Sequence, residues 1–435
     1  MQPQQYKISG VITGLGAALV LSIGLSGQAQ ARPTQFHDVR AMGMGGTGVA
    51  AARPAGAGLF NPALLSASQG QWEDDFALTL PSVNGRLADD QDVVDAIDDI
   101  QDLIDRLETN INNQESLPQA QQDADLLADQ LEALGGQTLR ADLGAGLQIA
   151  RPSRTLGIGL HSNGSVRASV QAGIAENDLS QLRQLADADS QEELETAREQ
   201  LLDNGQLRNF DSDGRVIASA VWETGLSFAR PFAFGEHELV LGITPKWVHM
   251  RTFDFRQSVN DFDEDDFDAD EFETTGDGFS FDLGASTQLG AKGQWRLAAV
   301  VRNVIPLSEK AIVPSDPGQP QRELEIDPQG TLGLAHSSGW HTITLDVDLN
   351  EVEGFGPEAD RQFVALGGEF NLLNWLNLRA GVRHNLADDT GPQGAEEETL
   401  YTAGFALSPW ALRLEAAAMF SGDEIGGGLE LGFSF

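Results

Sequence analysis

Short runs in which apolar and polar residues alternate recur along most of this chain. Phe279, Phe281, Leu283, Ala285 and Leu289 fall on one parity, and Ser280, Asp282, Gly284, Ser286 and Gln288 on the other. Ile343, Leu345, Val347 and Leu349 alternate with Thr342, Thr344, Asp346 and Asp348, and Leu429, Leu431, Phe433 and Phe435 alternate with Glu430, Gly432 and Ser434. A period of two marks a strand with one apolar and one polar face. Fourteen such strands are predicted, at 76–87, 138–150, 154–173, 213–232, 236–257, 276–290, 294–305, 328–337, 340–350, 360–370, 375–385, 399–407, 410–420 and 425–435. A soluble sandwich alternates in the same way, so the connections have to decide. They alternate strictly between long and short, with short ones at Pro152, Gly235, Lys292, Ser338, Asn371 and Pro409. Tight turns on one side and long loops on the other are the pattern of an outer-membrane barrel. Trp295, Trp340, Trp375 and Trp410 each follow a short turn, where an interfacial aromatic girdle would sit. The predicted fold is an all-β transmembrane barrel of 14 antiparallel strands. Its closing amphipathic strand ends on Phe435, which suits a substrate of the outer-membrane insertion machinery.

The N-terminus changes the picture next. Lys7 is the one charge in the first 31 residues, Val11–Leu25 is apolar apart from small and hydroxyl residues, and Ala29-Gln30-Ala31 has the small-x-small form of a cleavage site. Residues 1–31 therefore read as a signal peptide rather than a retained anchor, since the stretch is short and ends in a cleavage pattern. Beyond it no run of 18 apolar residues occurs, so a membrane is crossed by strands or not at all. The sequence has no Cys, which excludes disulfides and thiol chemistry. A net charge of −39 excludes nucleic acid as a partner, while 41% hydrophobic residues argue against disorder.

Residues 32–75 lack the alternation. They hold Arg40-Ala41-Met42-Gly43-Met44-Gly45-Gly46-Thr47-Gly48, then a small-residue stretch, then Asn61-Pro62-Ala63-Leu64-Leu65. In these motifs the chain resembles the FadL family of outer-membrane transporters for hydrophobic molecules, and within it the subgroup called conjugal transfer protein TraF-like. The resemblance is specific over 32–87 and architectural beyond. It implies that 32–75 folds inside a fourteen-stranded barrel as a hatch, with Arg40, Gly43, Gly45, Gly46, Asn61, Pro62 and Ala63 as the hatch motif. A nucleotide site is a poorer reading of the glycines, because no strand precedes them and no Lys follows.

Two of the long loops carry helical periodicity. Val93, Ile97, Ile100, Ile104, Leu107 and Ile111 step by four and three, and so do Ala120, Ala124, Leu127, Leu131 and Leu134. Ser190 and Glu193 have the spacing of a capping box opening a helix at about 190–203. Helical insertions are thus expected at about 89–136 and 177–203, either as a cap that ligands or partners meet first or as a self-packed shield.

Candidate chemistry is sparse. The carboxylates of 261–271 lack the glycine of an EF-hand loop and read as a solvated loop, not a metal site. The seven His show neither Ser/His nor metal-ligand spacing, so no enzyme, metal or cofactor is expected. Arg140, Asp142, Lys246, Asp282, Asp346, Asp348, Arg379, Arg383, Arg413 and Glu415 fall on inward parity, where mixed charges pair with one another or hold a plug. Lys246, Arg379 and Arg383 are the candidates to meet a ligand carboxylate. Asn163-Gly164 reads as an interruption of the third strand, a candidate lateral gate. Two functions follow from different classes. One is passive uptake of a hydrophobic small molecule, such as a fatty acid or hydrocarbon, by a barrel embedded in outer-membrane lipids. The other is a structural or interaction role in conjugal transfer or surface assembly.

Overall fold

The computed structural model describes residues 38–66, 76–89, 93–112, 116–203, 206–207, 210–234, 237–258, 269–290, 292–313, 321–373, 375–387, 399–422 and 424–434. The expected signal peptide and the acidic stretch 261–268 lie outside them.

Fourteen antiparallel strands close into one barrel. In chain order they are β1 (Ala77–Asp89), β2 (Thr138–Arg151), β3 (Gly157–Gly173), β4 (Asp213–Phe234), β5 (His237–Ser258), β6 (Glu273–Leu289), β7 (Trp295–Arg302), β8 (Gln329–Ser337), β9 (His341–Asp348), β10 (Phe363–Leu373), β11 (Leu376–Asn385), β12 (Leu400–Leu407), β13 (Leu412–Phe420) and β14 (Glu424–Ser434). Each pairs with its sequence neighbour, and β1 closes the barrel on β14 from Ala77↔Ser434 to Ala88↔Glu424. The register slips once on β1, between Thr79 and Ser82. Pro81 sits in that slip, one of the few places a residue without an N–H is tolerated in a sheet. Strand β7 stops at Arg302, short of the expected 305, because Asn303 turns into the left-handed region at φ 53° and its N–H leaves the ladder for Asp282 Oδ1 at 2.8 Å.

The alternation resolves into an inverted molecule. Phe279, Leu283, Ile343, Leu345 and Leu429 are exposed on the outer wall, while Ser280, Asp282, Thr344, Asp346 and Asp348 are buried inside. Trp295, Trp340, Trp375 and Trp410 are all exposed at the short-turn end. No helix among the described residues is long and apolar enough to cross a membrane. A wall of exposed Leu, Ile and Phe around a polar interior is stable only in lipid, where closure also pairs every strand edge. Strands of 9–11 residues suffice to span. The 22 residues of β4 and of β5 therefore carry the wall well past the bilayer at the long-loop end.

Helices Val93–Ile111, Leu117–Leu134, Glu176–Ala186 and Gln191–Leu201 lie in the long loops. Their apolar faces meet in a single core of Ile100, Leu103, Leu107, Leu127, Leu182, Leu185 and Leu201. Ser190 and Glu193 form a reciprocal cap: Glu193 N–H donates to Ser190 Oγ at 3.2 Å, and Ser190 N–H donates to Glu193 Oε2 at 3.1 Å. The helical faces are thus spent on one another, and acidic residues face solvent.

Strand β3 differs from the expectation at one place. Asn163-Gly164 does not interrupt it. Asn163 pairs with Gly146 and Glu223, and Gly164 with Ala145 and Trp222, with no change of register on either side. A glycine in a strand is compatible with regular pairing when both neighbours supply full ladders, as β2 and β4 do here.

The polarity of the wall makes a prediction. Leu283→Arg places a charge on the lipid face and is expected to lower stability by about 2–4 kcal/mol if it lies near the bilayer midplane. Equilibrium unfolding from lipid vesicles measures it, and a change under 0.5 kcal/mol would mean that this face does not meet lipid.

Candidate functional site: the lumen and the segment within it

Residues 38–66 lie inside the barrel, and almost every one of them is buried. Asp38 caps the one-turn helix Val39–Met42, accepting from Ala41 N at 2.7 Å. Gly45 and Gly46 follow at φ 71° and 87°, where a side chain is strained. Asn61 caps the 3₁₀ turn Pro62–Leu65, accepting from Ala63 N at 3.0 Å, with Pro62 at the first position, where it gives up no needed N–H. The Asn61 amide nitrogen lies 3.2 Å from the carbonyl oxygens of Val49, Ala285 and Ala299, joining the two halves of the segment to β6 and β7.

The fit against the wall depends on glycines of the barrel. A Cβ on Gly284 would stand 2.0 Å from Asn61 Oδ1, one on Gly242 2.4 Å from Ala63 N, one on Gly367 2.3 Å from Met44 O and one on Gly381 2.2 Å from Gly45 N. No side chain fits at these positions without moving the inner segment. Gly43 approaches the wall in the same way, since its own Cβ would lie 3.3 Å from Gly404 Cα.

Charge completes the fastening. Arg40 donates to both oxygens of Glu369, from Nε at 3.0 Å and Nη2 at 3.2 Å, and from Nη1 to Ala51 O at 2.7 Å. Arg53 joins Glu415 at 2.7 Å and Glu369 at 3.2 Å. From the wall, Arg379 meets the same two carboxylates at 2.7 Å each. Three guanidinium groups and two carboxylates thus form the buried centre of one cluster, two of the arginines from the inner segment and the other three groups from β10, β11 and β13, with the half-buried Arg413 of β13 at its edge, 3.5 Å from Glu415. Asp346 on β9 accepts from Gly48 N at 2.7 Å and Val49 N at 2.9 Å, and Thr402 on β12 accepts from Gly45 N at 2.9 Å.

The residues expected to meet a ligand carboxylate are placed as follows. Lys246 is buried between Glu223 at 2.9 Å and Asp282 at 3.0 Å. Arg379 is committed to the cluster just described. Arg383 is buried with its guanidinium 4.1 Å from the centre of the Phe363 ring. Neither Lys246 nor Arg379 brings an unmatched charge to the lumen. A further cluster gathers Arg86, Arg167 and Asp142, with Arg167 Nη1 at 2.9 Å from Glu358, and Arg140 beside Glu424. Among the described residues no group of three or more His, Asp and Glu is placed to hold a metal ion.

At the long-loop end the lumen turns apolar. Ile217 and Val221 of β4 and Val248 and Met250 of β5 point inward and pack against Leu307, Ala311, Leu324, Ile326 and Phe355. Most of these loop residues come from a small hairpin, Leu307–Lys310 with Glu323–Ile326, folded down into the mouth.

Of the groups that fasten the inner segment, Glu369, Arg53 and Thr402 were missed at the level of sequence. Glu369 shares inward parity with Phe363, Ala365 and Gly367, so the period-two rule would have found it.

Breaking the cluster gives a direct prediction. The chain has no Cys, so Thr47→Cys, at a fully buried position, is a clean probe. Its labelling by a polar maleimide is expected to be slow, and Glu369→Ala with Glu415→Ala is expected to speed it by about tenfold or more, because uncompensated buried arginines cost about 3–5 kcal/mol. Equal labelling rates would mean that the carboxylates do not hold the segment.

A family model described as "F plasmid transfer operon, TraF, protein" matches residues 58–348. No protein of curated function matches. Among solved structures, the toluene transporter TbuX of Ralstonia pickettii superposes with a TM-score of 0.50 at 12% identity, covering 92% of this chain and 98% of that one. A Pseudomonas aeruginosa FadL homologue superposes with a TM-score of 0.50 at 11% identity, covering 94% of this chain and 100% of that one. At such identities the likeness is one of fold, a barrel like those of these two proteins. The family model spans well over half of the sequence, and the chain belongs to the F plasmid transfer operon TraF protein family.

Proposed function

We propose that this protein is a passive uptake barrel for small, uncharged hydrophobic molecules, with residues 32–75 serving as its hatch. The observation that carries the reading is the apolar patch of Ile217, Val221, Val248, Met250, Leu324, Ile326 and Phe355 beneath the hairpin at the mouth of the lumen. These side chains are buried beneath the folded-in hairpin, so a greasy molecule arriving from the long-loop side reaches them by displacing the hairpin and taking over its apolar contacts. Desolvation drives it in without a charged partner. Because Lys246 and Arg379 are already matched by carboxylates, neutral hydrocarbons suit the site better than fatty acids. The fold shared with a toluene transporter supports the same class of cargo. Passage beyond the mouth requires the hatch to shift, so the Glu369–Glu415 cluster sets how easily the route opens. No bond is made or broken in this account, and no cofactor takes part.

Whole-cell uptake of labelled toluene and of a labelled long-chain fatty acid tests it. Val248→Asp and Phe355→Asp put a carboxylate in the apolar patch and are expected to reduce toluene uptake by about tenfold or more. Deletion of 32–63 is expected to raise entry of small polar solutes. Uptake unaffected by both aspartates would refute the mouth as the ligand's entry site.

The family description favours a second reading, a role in plasmid transfer with the helical insertions as a docking surface. Removal of both insertions, 89–136 and 177–203, separates the two. A large loss of conjugation frequency with unaltered hydrocarbon uptake supports docking, and the reverse outcome supports transport.

A further inference from the structure

The lipid-facing wall carries a ladder of rings at the short-turn end. Trp295 meets His336 edge-on with centroids 4.6 Å apart, and His336 stacks on His341 at 5.1 Å. His341 then meets Trp340 edge-on at 4.3 Å, and Trp340 stacks on Phe370 at 6.0 Å. The ladder crosses β7, β8, β9 and β10. Tryptophan is at home in such a girdle, because its ring is apolar and its N–H seeks the headgroup layer. Two histidines facing lipid do not follow from that rule.

These histidines are wired together. His336 Nδ1 lies 3.0 Å from His341 Nε2, and His341 Nδ1 lies 2.8 Å from Ser338 Oγ. The directions of the two bonds are linked through the tautomer of His341. When the Ser338 hydroxyl donates to His341 Nδ1, His341 Nε2–H donates to His336 Nδ1, and His336 carries its proton on Nε2. The chain then ends in an N–H donor, and an anion at that end selects this direction over the reverse.

Next to this donor, toward the middle of the wall, is a groove of about 260 Å³ lined by Trp295, Leu334, His336, Ile343, Leu345 and Leu366. It opens onto the face that meets hydrocarbon. Lys292 sits exposed on the adjoining turn, which is tied to this edge by Ser337 N donating to Gln294 O at 2.9 Å. It supplies positive charge at the rim of a chain whose net charge is −39.

We propose that groove and histidine chain together hold one glycerophospholipid of the periplasmic-facing leaflet. An acyl chain fills the groove, and the headgroup phosphate accepts a hydrogen bond from His336 Nε2, with Lys292 nearby. The pairing is one of complementary chemistry: apolar groove to acyl chain, donor and cation to phosphate, both at the depth where a lipid presents the two together.

Native mass spectrometry of the full chain in detergent tests the site. The probes are phosphatidylglycerol, a diacylglycerol with the same acyl chains, and inorganic phosphate as competitor. Phosphatidylglycerol adducts are expected to exceed diacylglycerol adducts by about tenfold at equal concentration, and excess inorganic phosphate is expected not to displace them. His336→Phe with His341→Phe and Lys292→Gln removes the donor chain and the cation and should bring the two lipids to parity, with the folded barrel verified by its heat-dependent gel mobility. Leu345→Trp leaves both histidines in place and fills the groove, so it should weaken both lipids. Equal binding of the two lipids by the wild type, displacement by inorganic phosphate, or full phosphatidylglycerol binding by Leu345→Trp would each overturn the proposal.

Discussion

Glu369 and Glu415 each hold arginines from two distant parts of the chain. Arg40 and Arg53 reach them from the segment inside the lumen, and Arg379 reaches them from the wall. The arrangement depends on the barrel being inverted, with apolar side chains turned to lipid and polar ones turned inward. Only a lumen closed off from both lipid and bulk water can collect so much charge at such short distances, and the charge is tolerable because every group in it touches at least one of opposite sign. Removing one partner leaves the others buried and uncompensated. The cluster therefore specifies where the inner segment rests more than it adds to the stability of the barrel.

Close approach of backbones is the second requirement. Gly242, Gly284, Gly367 and Gly381 let the wall come within contact of Pro62, Asn61, Met44 and Gly45, so that Asp346 and Thr402 can reach the amides of Gly45, Gly48 and Val49. Glycines on the inner segment and glycines on the wall answer one another. At the opposite end of the lumen the Leu307–Ile326 hairpin rests on the apolar patch, and its polar ties to the wall include Arg322 Nη1 at 2.8 Å from Asp254 and Thr274 Oγ1 donating to Lys310 O at 2.6 Å. The base is thus held by a dense set of buried charge and amide contacts, and the mouth by apolar contacts with fewer polar ties.

The strands were legible because a period of two, short turns and a Trp after four of the turns are local signals. Inward charges such as Asp346, Arg379 and Glu415 were legible for the same reason. Their partners were not, since Arg40 and Glu369 are 329 positions apart and parity says only that both face the lumen. The wall glycines read as small inward residues, and nothing local says that a second backbone lies against them. The helix Gln191–Leu201 announced itself through Ser190 and Glu193, whereas Glu176–Ala186 begins at Ala175, which offers no side-chain cap. The hairpin in the β7–β8 loop has strands of four residues each, too short for periodicity to register. At Asn163-Gly164 a turn-forming pair misled, because two long neighbouring strands supply every pairing partner.

Hydrogen exchange of the amides of Gly45, Gly48 and Val49 in the lipid-embedded protein reads out whether the wall holds the inner segment. Each of them donates to a wall side chain rather than to a regular helix or sheet. If the inner segment is fastened as described, these amides are protected nearly as strongly as the barrel strands. Exchange at the rate of exposed loops would mean that the wall does not fasten the segment.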